Sequence, residues 1–160
     1  MTAPDPLGYG TGLQQSTGFA APGGGLEFDL FTDGSSTDTG VLEFGEPGSS
    51  GRIELVNAGT ADSWPVHRID GPTPTAGFDI VDVASGKRLR FVGVVPAGSH
   101  LTIDTATGSV ILDDVADRSS QLTRREWTPI PPSGSATLAF LPLSTSTAAA
   151  LTTSYASAWW

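Results

Sequence analysis

Residues 88–104 read RLRFVGVVPAGSHLTID, and this stretch decides the fold. Leu89, Phe91 and Val95 alternate with Arg88 and Arg90. After Pro96-Ala97-Gly98, Leu101 and Ile103 alternate with Thr102 and Asp104. A period of two places successive side chains on opposite faces of a strand, so each run has one buried and one wet face. Pro at the second and Gly at the fourth position of the intervening segment predict a type I turn. Strand, turn and strand predict antiparallel pairing.

The same texture extends outward. Apolar alternations separated by Gly, Pro, Asp and Ser clusters predict strands at Leu26–Thr32, Val41–Phe44, Arg52–Asn57, Pro65–Asp70, Phe78–Asp82, Arg88–Val95, His100–Asp104, Ser109–Leu112, Ala136–Leu141 and Ala149–Ser157. Residues 84–87 and 105–108 read as hairpin connections, and Pro132-Ser133-Gly134 as a further turn. Ser119–Trp127 opens with residues suited to a helix N-cap, so a short helix or a long loop is expected there. Residues 1–25, rich in Gly, Pro, Gln and Thr, read as an extended arm or linker that cannot order itself alone. The expected organisation is therefore an arm over 1–25 and an all-β, antiparallel two-sheet sandwich over 26–160.

Composition narrows the function classes. The chain has 160 residues, no cysteine and a net charge of -9. Disulfides and thiolate metal sites are excluded. Nucleic-acid binding is not expected, because it rests on Lys and Arg neutralising phosphates and only eight such residues are present. No apolar run approaches the ~20 residues of a membrane-spanning helix. The first residues, MTAPDP, have no basic region followed by an apolar one, so no signal peptide is expected.

Catalytic sets are also missing from the pattern. His67 and His100 are the only imidazoles, with no HxH or HExxH spacing. Asp113, Asp114 and Asp117 form the densest acidic group, without the ordered spacing of a calcium loop. Neither a GxSxG elbow nor a phosphate-cradling glycine loop occurs. No enzyme, cofactor or metal is expected. The tryptophans are the candidate contact residues: Trp64, Trp127, Trp159 and Trp160. Tryptophan is enriched at protein interfaces, and its ring face can stack on a sugar.

The order of motifs resembles distal tail and minor tail proteins of long-tailed phages. The resemblance runs through Gly24-Gly25-Leu26, Asn57-Ala58-Gly59-Thr60-Ala61, Trp64-Pro65-Val66 and Ile69-Asp70-Gly71-Pro72. It continues in Gly86-Lys87-Arg88-Leu89, Pro96-Ala97-Gly98 and Leu101-Thr102-Ile103-Asp104-Thr105, and closes on Ala158-Trp159-Trp160. It spans roughly residues 3–160, and the Ala, Gly, Thr, Val and Asp bias points to a phage of actinobacteria. The resemblance implies the C-terminal galectin-like or jelly-roll-like sandwich of that family. It also implies a place in the virion tail, assembled in the host cytoplasm. The implied partners are other tail proteins, further copies of the chain and host surface glycan. The family's ring-forming N-terminal half has no counterpart here and is not carried over.

Overall fold

A computed structural model describes residues 8–19, 50–144 and 148–160. Two antiparallel sheets pack face to face. Sheet A is ordered β1 (Gly8–Gly18), β11 (Ala150–Trp159), β3 (Val66–Asp70), β6 (His100–Asp104), β7 (Ser109–Leu112) and β8 (Ala116–Asp117). Sheet B is ordered β2 (Arg52–Asn57), β10 (Gly134–Pro142), β4 (Phe78–Asp82), β5 (Arg88–Phe91) and β9 (Leu122–Arg125). The antiparallel all-β sandwich is thus confirmed.

The alternations point as expected. Ile69, Leu101, Ile103, Val110 and Leu151 of sheet A face Leu55, Phe78, Ile80, Phe91 and Phe140 of sheet B, and all are buried. Burying each such side chain stabilises the fold by about 1.5–3 kcal/mol. Four phenylalanines form the centre: Phe78 stacks on Phe91 and meets Phe140 edge-on, each at 5.4 Å, and Phe19 stacks on Phe140 at 4.1 Å.

Several local expectations are corrected. Gly8–Gly18, read as part of an arm, is extended but pairs with β11 from Gly8↔Trp159 to Gly18↔Ala150. Phe19 then enters the core, so neighbours supply the order that the segment's own composition cannot. Ser119–Gln121 forms a single 3-10 turn and Leu122–Arg125 an edge strand, where a helix or loop was expected. Leu122 carries this strand because it alone within it is buried, opposite Phe91. The predicted strand 88–95 stops at Phe91, although Val95 stays buried. The strands expected at Leu26–Thr32 and Val41–Phe44 lie outside the described residues.

The turns also differ in type. Ser99 N–H donates to Pro96 O at 3.1 Å, and Gly98 has φ of +81°. Gly98 is therefore the third residue of its turn, with the left-handed φ that a type II turn assigns to glycine. Both predicted hairpins are present. Asp82 and Asp104 open them, and their carboxylates accept backbone N–H groups of Ala84 and of Ala106 and Thr107.

Candidate interaction surface

The C-terminal strand is fastened by a buried asparagine. Asn57 is inaccessible to solvent. Its Nδ2 donates to Ala61 O at 2.7 Å and Ile130 O at 3.1 Å, and its Oδ1 accepts from Gly59 N–H at 2.9 Å and Ala158 N–H at 3.4 Å. One side chain thereby satisfies four backbone groups of three segments, as a buried amide must. Gly59 lies against the Ala158 backbone, and a Cβ there would stand 1.9 Å from Ala158 O. The Asn57-Ala58-Gly59 motif is the clasp for the strand that ends in Trp159 and Trp160.

Trp64 is held from both sides. Ser63 exchanges backbone hydrogen bonds with Ile130, and its Oγ donates to Ala156 O at 2.5 Å. Pro65 O accepts from the Thr105 hydroxyl, also at 2.5 Å. Between these fixed neighbours the indole is 42% exposed, and Tyr9 is 57% exposed. The two rings flank an open trough of about 420 Å³ on sheet A, whose lining includes Gly12, Val66, Ser154 and Ala156. The β1–β11 register sets Gly12 opposite Ala156, which places two small residues side by side on this floor. Asp104 also lines the trough. Rigid aromatic rings beside a small-residue floor suit a flat or ring-shaped partner group.

The four tryptophans do not converge. Trp159 lies over Gly10, where a Cβ would come within 2.8 Å of its ring. Trp160 is 80% exposed, and its backbone N–H donates to Thr60 Oγ1 at 3.2 Å. Trp127 packs against the core, with Gly108 beside its ring. Tyr9 is the surface aromatic that the sequence reading missed, because its segment carried no alternation to mark it as a strand.

The titratable groups are dispersed. His67 is buried in the core face of β3, 2.9 Å from Thr153 Oγ1, and burial lowers its pKa to about 4. His100 lies on the outer face, directly opposite Asp70 and 3.2 Å from Asp114 Oδ2. The His100 backbone N–H donates to Asp113 Oδ1, whose carboxyl is held below the ordinary range by that bond and by Ser99. The two imidazoles thus project to opposite faces of the sheet. Among the described residues, no three His, Asp or Glu side chains are grouped to hold a metal ion. No helix there is long and apolar enough to cross a membrane.

Comparison with known proteins gives a family. The crystal structure of SPP1 Dit (gp 19.1), titled a paradigm of the hub adsorption apparatus in Gram-positive infecting phages, superposes with a TM-score of 0.64 at 14% identity. The match covers 98% of this chain and 50% of that one, so the chain spans about half the length of that relative. No curated protein sequence matches. Residues 58–159 match the siphovirus-type tail component, C-terminal domain. That region contains the Gly59 clasp, the Trp64 frame and the whole of the terminal strand, and by it the chain belongs to the siphovirus-type tail component family.

Proposed function

We propose that this chain is the sandwich domain of a distal or minor tail protein, acting in tail-tip assembly and host adhesion without covalent chemistry. The family match over residues 58–159 carries this reading. The surface supports it: Tyr9, Trp64, Trp159 and Trp160 are exposed on or beside sheet A, while a clasp of buried hydrogen bonds keeps their strands fixed. Preorganised aromatic side chains bind with little loss of rotamer freedom. The partners in this reading are neighbouring tail subunits and further copies of the chain, within a virion assembled in the host cytoplasm. The test is incorporation. An epitope-tagged chain supplied during infection is expected at one end of purified tails by immunogold electron microscopy. Tails devoid of the tag would sink the proposal.

A second reading is a carbohydrate-binding module for host cell-wall glycan, and the Tyr9–Trp64 trough is what favours it. A glycan array probed with the wild-type chain and Trp64→Ala separates the two. Binding that disappears in the variant supports the glycan reading, and an array without any binding removes it.

A further inference from the structure

The solvent face of sheet B carries two transverse rows of side chains, set by the register of its five strands. One transverse row runs Arg52, Ala139, Val81, Arg88. The next runs Leu141, Asp79, Arg90, Arg124. Val83 stands beyond Val81 on the same face, its N–H bonded to Thr137 O, and Thr137 pairs with Glu54. Together Val81, Val83, Ala139 and Leu141 line an open apolar trough of about 340 Å³, with Arg52 at its edge. Arg52 and Arg88, three strands apart, are separated by about 14 Å. Asp79 is buried under Arg88 and Arg90, with Arg90 Nη2 at 2.7 Å, and Glu126 holds Arg124. On this face Arg52, Arg88, Arg90 and Arg124 outnumber Glu54, Asp79 and Glu126 by four to three, in a chain whose net charge is -9.

The complement of this trough is on the same chain. Between β7 and β8, Val115 N–H donates to Leu112 O, with φ of +50° at Asp113 and +60° at Asp114. Positive φ at two successive residues is the geometry of a type I′ hairpin turn. It presents Asp113, Asp114 and Val115 as a knob at the far edge of sheet A, with Val115 88% exposed. His100 contacts both carboxylates, and Arg68 lies near Asp114. The side chain of Asp114 nonetheless remains 76% exposed.

We infer that the Asp113-Asp114-Val115 knob of one copy docks into the Arg-rimmed Val81–Val83–Leu141 trough of a second copy. Valine enters the apolar floor, and the carboxylates meet Arg52 and Arg88. Knob and trough are different surfaces, so the contact is head-to-tail and generates a ring or a filament according to its rotation. The inference rests on the tail-component reading only for its use, which is to order neighbouring copies.

Sedimentation of the purified chain tests it. Wild type is expected to associate reversibly with concentration at low salt, and to dissociate when salt shortens the screening length to about 3 Å near 1 M. V115K and V83E are each expected to weaken association at least about tenfold, a loss of about 1.4 kcal/mol. Equimolar V115K and V83E are expected to associate with each other, because the intact knob of V83E fits the intact trough of V115K. Should V83E fail to fold by circular dichroism, R52E, on an exposed edge-strand position, replaces it. A monomeric wild type at every soluble concentration would overturn the inference. So would variants that associate like wild type, or a mixture that stays monomeric. Incorporation of V115K into tails with undiminished self-association would overturn the contact while leaving the tail role intact.

Discussion

Gly59 packs so closely on Ala158 that a Cβ at residue 59 would stand 1.9 Å from the Ala158 carbonyl oxygen. Backbone meets backbone there, and no side-chain rotation can relieve the overlap. Gly59→Ala is therefore expected to destabilise the protein by about 1–3 kcal/mol, as overpacking does. Asn57→Leu leaves the Ala61, Gly59 and Ala158 backbone groups without this partner, at about 1–3 kcal/mol for each group left buried and unsatisfied. Urea denaturation measures both losses. An unchanged midpoint for Gly59→Ala would show that the terminal strand does not seat on residue 59.

Phe19 ties β1 to the core by stacking on Phe140. Phe19→Ala is expected to release the strand locally, because β1 is at the edge of sheet A. Amide hydrogen exchange should rise across Leu13–Thr17 while β3 and β6 keep their protection. Uniform acceleration throughout the protein would instead place β1 within the global folding unit.

His67 makes stability pH-dependent. Its folded pKa is about 4 against 6.5 for an unperturbed imidazole. Between these values the unfolded chain binds a proton that the folded chain refuses. Stability from this group is complete above about pH 6.5 and declines as pH falls, and the loss is complete below about pH 4. The full change is about 3 kcal/mol. The stability of wild type relative to His67→Gln, read from denaturation midpoints, should fall by about 3 kcal/mol as pH drops from about 6.5 to about 4, because the amide takes up no proton. The lowered carboxyls of Asp113, Asp117 and Glu126 titrate in both proteins and cancel in the difference.

Trp64 and Phe140 should separate binding from stability. Phe140 is wholly buried, so Phe140→Ala is expected to cost about 3–5 kcal/mol. Trp64 is partly exposed and fixed through its neighbours' backbone bonds. Trp64→Ala is thus expected to cost under about 1 kcal/mol while weakening any partner that occupies the Tyr9–Trp64 trough. Thermal denaturation alongside tail incorporation reads both effects.

The central strands were legible because burial writes a period of two into them: Leu89 and Phe91 against Arg88 and Arg90, Leu101 and Ile103 against Thr102 and Asp104. The edge strands β1, β8 and β9 were not, because little of each is buried, whereas the edge strand β2 was legible through its buried Ile53, Leu55 and Asn57. β1 is almost wholly exposed and interrupted by glycines, and its strand state comes from β11 and Phe19. β9 offers Leu122 alone as a buried residue, behind serines that suit a helix cap. Trp64 was marked by the rigid Pro65 after it, but its companion Tyr9 reaches the same trough through a pairing about 150 residues away. The row from Arg52 to Arg88 was illegible for the same reason. It exists only once the registers of β2, β10, β4 and β5 are set against one another.

The pairing of Gly8 with Trp159 has a mechanical consequence. Residues 8 and 159 stand side by side at one end of the β1–β11 ladder, so tension on these two points does not shear the strands along each other. It peels them apart, one residue pair after another, and each step resists only through its own weak bond. The first pairs to open lie beside Trp159 and ahead of the irregular stretch between Tyr9 and Gly12. A tug at this corner would therefore disturb the aromatic trough long before it reached the phenylalanine core.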